Sequence, residues 1–190
     1  MASTLKINNL DTASGTTITI PTGKTLVGTD GGSITAPGTI LQVKQTIIQT
    51  QATFSASNAF VSNINLDCSI TPKSSSSKIL IQVMLNYSTS TAGCGNGVGL
   101  DRVITGGATT TDIARGVGGT TADFWIGLNN NHDQTNQGGL VLNAFGSFLD
   151  SPNTTSVVTY KPKLWFVGGT TPIKVNRSNS GNHGAPSITT

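Results

Sequence analysis

Residues 78–88, KILIQVMLNYS, alternate between two kinds of side chain with a period of two. One face of this segment is apolar throughout, whereas the other face mixes apolar side chains with amides. This is the pattern of a half-buried β-strand, because successive side chains of a strand lie on opposite sides of its sheet. The segment therefore predicts a strand with one face in the core. The first face holds Ile79, Ile81, Val83, Leu85 and Tyr87, and the second holds Leu80, Gln82, Met84 and Asn86.

Several other segments carry related patterns, and stretches rich in Gly, Asn and Ser separate them. No segment of ten or more residues shows the 3.6-residue period of a helix. About seven to nine strands with frequent turns are typical of a β-sandwich, and we predict an all-β, jelly-roll-like sandwich. The predicted strand segments are ILQVKQTIIQTQATF (40–54), ADFWIGL (122–128), GLVLNAFGSFLD (139–150), TSVVTYKPKLWFVGG (155–169) and PIKVNRS (172–178).

The composition argues against several classes of protein. Only 10% of the 190 residues are charged, and the 11 basic residues are scattered singly, with a net charge of +3. No Lys/Arg cluster interleaved with aromatics is present, so we do not expect nucleic acid as a partner. No apolar run reaches the 18 residues of a membrane span. The first residues, MASTLKINNLDTASG, lack the apolar centre of a secretory signal, which predicts folding in a cytoplasm.

Residues 1–37 form a separate compositional block in which a few apolar residues alternate with turn signals such as Pro21-Thr22-Gly23, and we predict strands of two to five residues joined by turns. Its apolar side chains are too few to offset the conformational entropy lost when 37 residues become ordered. A lone copy would also leave strand edges unpaired. We therefore predict that residues 1–37 intertwine with identical copies, most simply as a homotrimer, and dock onto a larger assembly, while residues 38–190 form the sandwich. A docking tail that orders only on that assembly is the alternative. The residues predicted to make these contacts are Leu5, Ile7, Leu10, Ile18, Ile20 and Leu26.

Four segments of the sequence carry a resemblance to known proteins, namely SGTTITIPTGKTLVGTDGGSITAPGTILQV (14–43), SITPKSSSSKILIQVML (69–85), GLDRVITGG (99–107) and KVNRSNSG (174–181). Together they resemble a class of tailed-phage virion proteins found in cyanophages and other marine phages. The resemblance covers most of the chain, but relatives often close with a further apolar strand where this chain has PSITT (186–190). Proteins of this class are fibre, tail-fibre or structural proteins and are usually trimeric, so the resemblance implies a virion component assembled in the host cytoplasm.

Catalytic and metal sites are not expected. The histidines, His132 and His183, both lie in Asn/Gly-rich loops, and the eight acidic residues are all Asp without a pairing signature. Cys68 and Cys94 fit no zinc spacing and are expected to be free thiols. We predict no cofactor and no enzymatic activity. The pair Asp101-Arg102 is interpreted as an ordinary ion pair at the surface or at an interface.

Host-cell glycan is the predicted external ligand. The polar loop NNNHDQTNQ, residues 129–137, is the candidate contact, although a plain solvated loop is the simpler interpretation. Trp125 and Trp165 are expected to pack in the core or between subunits, with sugar stacking as the alternative. The candidate glycan-binding residues are Asn129, Asn130, Asn131, His132 and Asp133.

The sequence therefore predicts a trimeric phage fibre that takes part in host-surface attachment. Its partners would be identical copies, other capsid or tail proteins, and host-surface glycan. Two alternatives remain at this point, namely a capsid decoration or head-fibre protein without a receptor role, and a non-viral lectin-like sandwich.

Overall fold

The computed structural model describes seven stretches of the chain. The chain divides into two units, Met1–Leu41 and Gln42–Thr190, which are described separately below. The predicted domain boundary after residue 37 lies outside the described residues and stays a prediction. The described stretches are residues 19–28, 40–89, 96–116, 124–128, 141–166, 172–178 and, for the backbone only, 187–189.

Every regular element in the described part of the chain is a β-strand, which confirms the predicted all-β class. The strands are β1 (Thr46–Ile48), β2 (Ala52–Phe54), β3 (Ala59–Val61), β4 (Cys68–Ile70), β5 (Ile79–Thr89), β6 (Asn96–Ile104), β7 (Thr109–Thr110), β8 (Ile126–Leu128), β9 (Leu142–Asp150), β10 (Val158–Phe166), β11 (Ile173–Val175) and β12 (Ser187–Thr189).

The strands form two six-stranded sheets. Within each sheet, every pair of neighbouring strands is antiparallel. The first sheet has the order β1-β12-β5-β11-β2, with β9 also paired to β5. The second has the order β3-β10-β6-β7, with β4 on β10 and β8 on β6. Each of the two apolar clusters contains buried residues from both sheets. The architecture is therefore compatible with a β-sandwich, and the jelly-roll connection stays a prediction.

Strand β5 confirms the predicted alternation over residues 79–84, whereas Asn86 and Ser88 on the second face are buried as well. Its first face is buried from Ile79 to Tyr87, and Leu85 is 0% exposed, whereas Leu80 is 54% exposed. Strand β10 obeys the same rule, because Val158, Leu164 and the residues between them on that face are buried. Burial of the apolar face removes hydrocarbon from water, and this is the main stabilising contribution of these strands.

Strand β10 contains a proline at its centre, a residue usually confined to strand edges. One side of β10 pairs continuously with β6, and Pro162 lies opposite Leu100 there. On the other side, β4 pairs with residues 158–160 and β3 pairs with residues 164–166. Residues 161–163 thus lie between the two short partners. Proline fits this gap because it has no N–H to donate to a neighbouring strand.

Strand β6 lies where the sequence predicted no strand, and it begins in a glycine-rich stretch, residues 96–99. These residues begin a nine-residue strand whose first five residues are buried. The ring of Phe124 lies directly over Gly97, in the space that a Cβ would occupy. Glycine therefore serves here for close packing inside a strand, and not for a turn.

The described residues of the first unit contain a turn and no strand, in contrast to the short strands predicted there. The N–H of Lys24 donates to the carbonyl of Pro21 at 3.0 Å. Gly23 has a φ of +79°, a conformation that glycine adopts without steric cost. The Pro-Thr-Gly segment therefore forms the turn that its residues predict, whereas residues 19, 20 and 24–28 pair with no strand.

Candidate assembly surface

A run of large apolar side chains before strand β1 is exposed in a single copy of the chain. The two residues of the predicted docking set that the structure describes, Ile20 and Leu26, are both among them. Exposure of five such side chains within 22 residues of the first unit leaves apolar surface that burial against another chain would remove from water. We call this run the N-terminal apolar set. It consists of Ile20, Leu26, Val27, Ile40 and Leu41, which are 44–79% exposed.

A second apolar surface lies on the side of β5 and β9 that faces away from the core. Leu80 is directly opposite Leu149, and Met84 is directly opposite Phe145. Residues opposite each other in an antiparallel pair share a face, so these four side chains form two adjacent apolar pairs. Leu80, Phe145 and Leu149 are each more than half exposed. We call these four residues the outer apolar face.

The backbone register extends the row of Met84 toward the edge of the first sheet. Met84 pairs with Ile188 of β12, and Ile188 pairs with Ile47 of β1. Ile47 is 48% exposed. The backbone pairing therefore places positions 84, 188 and 47 in one row across the first sheet.

The polar positions on this side of β5 and β9 carry no charge. Gln82 lies opposite Ser147, and Asn86 lies opposite Asn143. The Asn143 amide donates from Nδ2 to Oδ1 of Asn86 at 2.9 Å. A second copy of the same surface would therefore meet no like charge at these positions, which removes a common obstacle to self-association.

A buried ionic cluster lies inside the sandwich at the end of β9. Arg102 donates from one guanidinium nitrogen to both carboxylate oxygens of Asp150, at 2.8 and 3.0 Å. The Tyr160 hydroxyl donates to the same carboxylate at 2.8 Å. Asp150 is thus a shared acceptor that links β6, β9 and β10.

The pKa of Tyr160 rises well above its ordinary value, because burial disfavours the phenolate and the Asp150 carboxylate accepts its proton in a hydrogen bond. In the unfolded chain this phenol ionises near pH 10. Above about pH 10 the unfolded state therefore loses a proton that the folded state keeps, so stability falls as the pH rises.

We predict that Tyr160→Phe weakens this alkaline loss of stability. The variant has no phenol at position 160 to ionise, so its free energy of unfolding should decline less steeply above about pH 10 than that of the wild type. Urea unfolding at a series of alkaline pH values measures the two slopes. Equal slopes would contradict the prediction, whereas a constant offset between the curves would not.

A second ionic cluster lies on the opposite side of β6 and β10. Lys163 is only 4% exposed, and its Nζ lies 2.7 Å from Oδ1 of Asp101 and 2.9 Å from Oδ1 of Asp112. The predicted pairing of Asp101 with Arg102 is therefore wrong. The two residues are neighbours on a strand, so they lie on opposite sides of the sheet and have different partners.

The NRS segment, part of the resemblance to phage proteins, has a structural role in this fold. Asn176 is 1% exposed and adopts a φ of +60°. Its Nδ2 donates to the carbonyls of Ile48 and Thr50, and its backbone N–H donates to the carbonyl of Asn86. The side chain thus joins the end of β1 to the chain that follows β11. Sequence reasoning missed this role because both acceptors are backbone groups far away along the chain.

Both tryptophans pack within the second unit. The Trp125 side chain lies against both core clusters, and the backbone N–H of this residue donates to the carbonyl of Val98 at 2.8 Å. The Trp165 ring centroid lies 4.8 Å from that of Phe60, and the planes are tilted by 59°. These contacts agree with the packing interpretation of the two side chains.

Several predicted site residues lie outside the described part of the chain. They comprise the candidate glycan contacts Asn129, Asn130, Asn131, His132 and Asp133, the docking residues Leu5, Ile7, Leu10 and Ile18, and Cys94. Cys68 is described, and it is a buried free thiol.

The described residues contain neither a candidate metal-binding group nor a candidate membrane-spanning helix. No three of their His, Cys, Asp or Glu side chains are grouped closely enough to hold a metal ion. No helix among them has the length and apolar character needed to cross a membrane.

The comparisons with known proteins concern the fold alone. The sequence matches no protein-family model, and a comparison with the curated proteins found no match. Among solved structures, the chain is similar to one in "Structure of infectious bursal disease virus Gx strain", with a TM-score of 0.39 and 12% sequence identity. The similarity covers 76% of this chain and 34% of the viral chain, so this chain corresponds to about a third of that one. An overlap of this size says nothing about what this chain does.

Proposed function

We propose that this chain is a structural component of a phage virion, a homotrimeric fibre that takes part in attachment to the host surface. Its N-terminal part intertwines with the other copies and docks onto the capsid or tail. The sandwich presents its Asn-rich loop, residues 129–133, toward host glycan. The chain needs no cofactor and is not an enzyme.

The observation that carries the proposal is the N-terminal apolar set. Five large apolar side chains between residues 20 and 41 are exposed in the single copy. Burial against another chain would remove this surface from water, and an identical copy supplies the same residues. The resemblance of residues 14–43 to phage fibre segments points to the same arrangement.

Cyclic symmetry explains why three copies suit this surface. Identical subunits that associate about a closed axis bury equivalent surfaces without an open end. A threefold axis is the simplest geometry for a thin rod. The phage proteins that this chain resembles are also usually trimers. The outer apolar face contributes additional uncharged surface for the same association. Several copies that point toward one cell also multiply weak glycan contacts through multivalency.

Light scattering coupled to size-exclusion chromatography tests the assembly. We expect the full-length protein to have three times the mass of one chain, and Leu26→Ser/Val27→Ser/Leu41→Ser to shift it toward monomer. Each substitution removes an exposed apolar side chain whose burial contributes about 1.5–3 kcal/mol. Val157→Ser is the matched control, because Val157 is exposed but belongs to neither surface. A stable wild-type monomer would overturn the trimer.

Electron microscopy of virions labelled against this chain tests the virion role. Label on a thin projection supports the fibre. Label spread over the capsid surface would favour a decoration protein, and virions without label would contradict the proposal.

A further inference from the structure

The Lys163 cluster has an arrangement that an ion pair alone does not require. The lysine is almost completely buried, and two carboxylate oxygens, from Asp101 and Asp112, lie within 3 Å of its Nζ. These distances are within the reach of direct proton transfer. An amine and a carboxyl group held together away from water are also the two reactants of amide formation.

The surroundings of the amine are shaped to exclude other groups. The Phe60 ring centroid lies 4.1 Å from Nζ, so an aromatic face covers the amine. Gly99 lies directly opposite Lys163 on the neighbouring strand. A Cβ at position 99 would lie 2.9 Å from both the Cε of Lys163 and the edge of Phe60, which is closer than real Cβ contacts. The absence of a side chain at Gly99 thus creates the space for the lysine.

The two aspartates have different environments, and the difference suggests different roles. Oδ1 of Asp101 accepts the backbone N–H of Asp112 at 2.9 Å as well as the contact from Lys163. That N–H is placed to stabilise negative charge that develops on this oxygen. Oδ1 of Asp112 is buried, and although it lies close to Nζ it accepts no hydrogen bond of good geometry. Asp112 also has a φ of +53°, an unusual conformation for a residue with a side chain.

We propose that Lys163 and Asp101 condense to an intramolecular isopeptide bond, with Asp112 as the proton carrier. Asp112 takes a proton from Nζ, and the nitrogen lone pair then attacks Cγ of Asp101. A C–N bond forms, and the C–Oδ2 bond breaks. One of the three ammonium protons stays on the amide nitrogen, and the other two leave with Oδ2 as water. Asp112 returns to its starting state, and no oxidant or other reactant is consumed.

Burial favours this condensation in two ways. Amide formation replaces a buried ammonium and a buried carboxylate with a neutral group, which removes two desolvated charges. The Phe60 ring and the surrounding backbone limit the access of water that would reverse the reaction. The product joins β6 to β10 covalently and constrains the unfolded chain as other cross-links do. This inference does not depend on the proposed virion function.

Mass spectrometry of the denatured full-length protein tests the bond. We expect the wild type to be lighter than its sequence by the mass of one water molecule. Lys163→Arg keeps the positive charge but cannot condense, so its mass should match its sequence. Asp112→Ala should also show no water loss, because the proton carrier is absent. Proteolysis of the wild type should yield one branched peptide that contains both Lys163 and Asp101.

The neighbouring Lys161 provides the matched control. It lies two residues away on β10 and its Nζ is 2.7 Å from Asp67, but this pair is about one-third exposed to solvent. Lys161→Arg should retain the water loss. A wild-type mass equal to that of the sequence would overturn the proposal. A water loss that proteolysis locates elsewhere, such as a succinimide at Asp30-Gly31, would also overturn it.

Discussion

Asp150→Asn is expected to lower the free energy of unfolding by about 3–5 kcal/mol, the usual cost of removing one partner from a buried ion pair. The carboxylate of Asp150 accepts hydrogen bonds from both Arg102 and Tyr160. An amide of the same shape leaves the Arg102 guanidinium, which is 17% exposed, without a counter-charge. It also replaces a two-oxygen acceptor with a group that has one oxygen and a competing donor.

Asp67→Asn is the matched control for this experiment. Asp67 pairs with Lys161 at a similar distance, 2.7 Å, but both side chains are about one-third exposed. Exposed pairs contribute about 0–1 kcal/mol, because water solvates the separated charges well. Urea unfolding of both variants at one protein concentration measures the difference. Equal losses of stability would show that burial does not set the strength of the Asp150 pair.

Leu85→Ala is expected to lower the free energy of unfolding by about 2–5 kcal/mol. Leu85 is fully buried in the cluster formed by both sheets. Truncation removes apolar contacts and leaves a cavity that the surrounding close-packed strands fill only in part. Denaturant unfolding measures the loss directly.

Leu80→Ala makes the same chemical change on the other face of the same strand. Its side chain is more than half exposed, so its effect on unfolding should stay within about 0.5 kcal/mol, as for other surface substitutions. Any effect of this variant on association is read separately by light scattering. If Leu80→Ala cost as much stability as Leu85→Ala, the outer apolar face would have to be covered within the folded chain itself.

The strands that sequence reasoning found are those with a regular period of two. In β5 and β10, the alternation of neighbouring residues identifies the buried face. This alternation is visible in a short stretch of sequence, because successive side chains of a strand lie on opposite sides of the sheet. Strand β6 was missed because two of its early positions, 97 and 99, are glycines, which carry no side chain to show a period. These glycines accommodate Phe124 and Lys163, which come from distant parts of the chain. The pattern of residues along one segment cannot identify packing partners that lie far away in the sequence.

The candidate site was predicted less completely than the fold. The exposure of Ile20 and Leu26 agrees with their predicted role in contacts between copies, and that role stays a prediction. The outer apolar face did not stand out in the sequence, because a Leu or Met on the second face of an alternating strand is ordinary. Only the pairing of β5 with β9 places Leu80 beside Leu149 and Met84 beside Phe145. The surface exists because of the register between two distant segments.

By itself, the sequence determined that this is an all-β protein and which face of β5 and β10 is buried. These properties follow from composition and from the two-residue period, which are both local. The tertiary structure alone determined the partners of Asp101, Arg102 and Lys163. Charged side chains on adjacent positions of a strand lie on opposite sides of the sheet, and their partners come from strands that are far away in the chain.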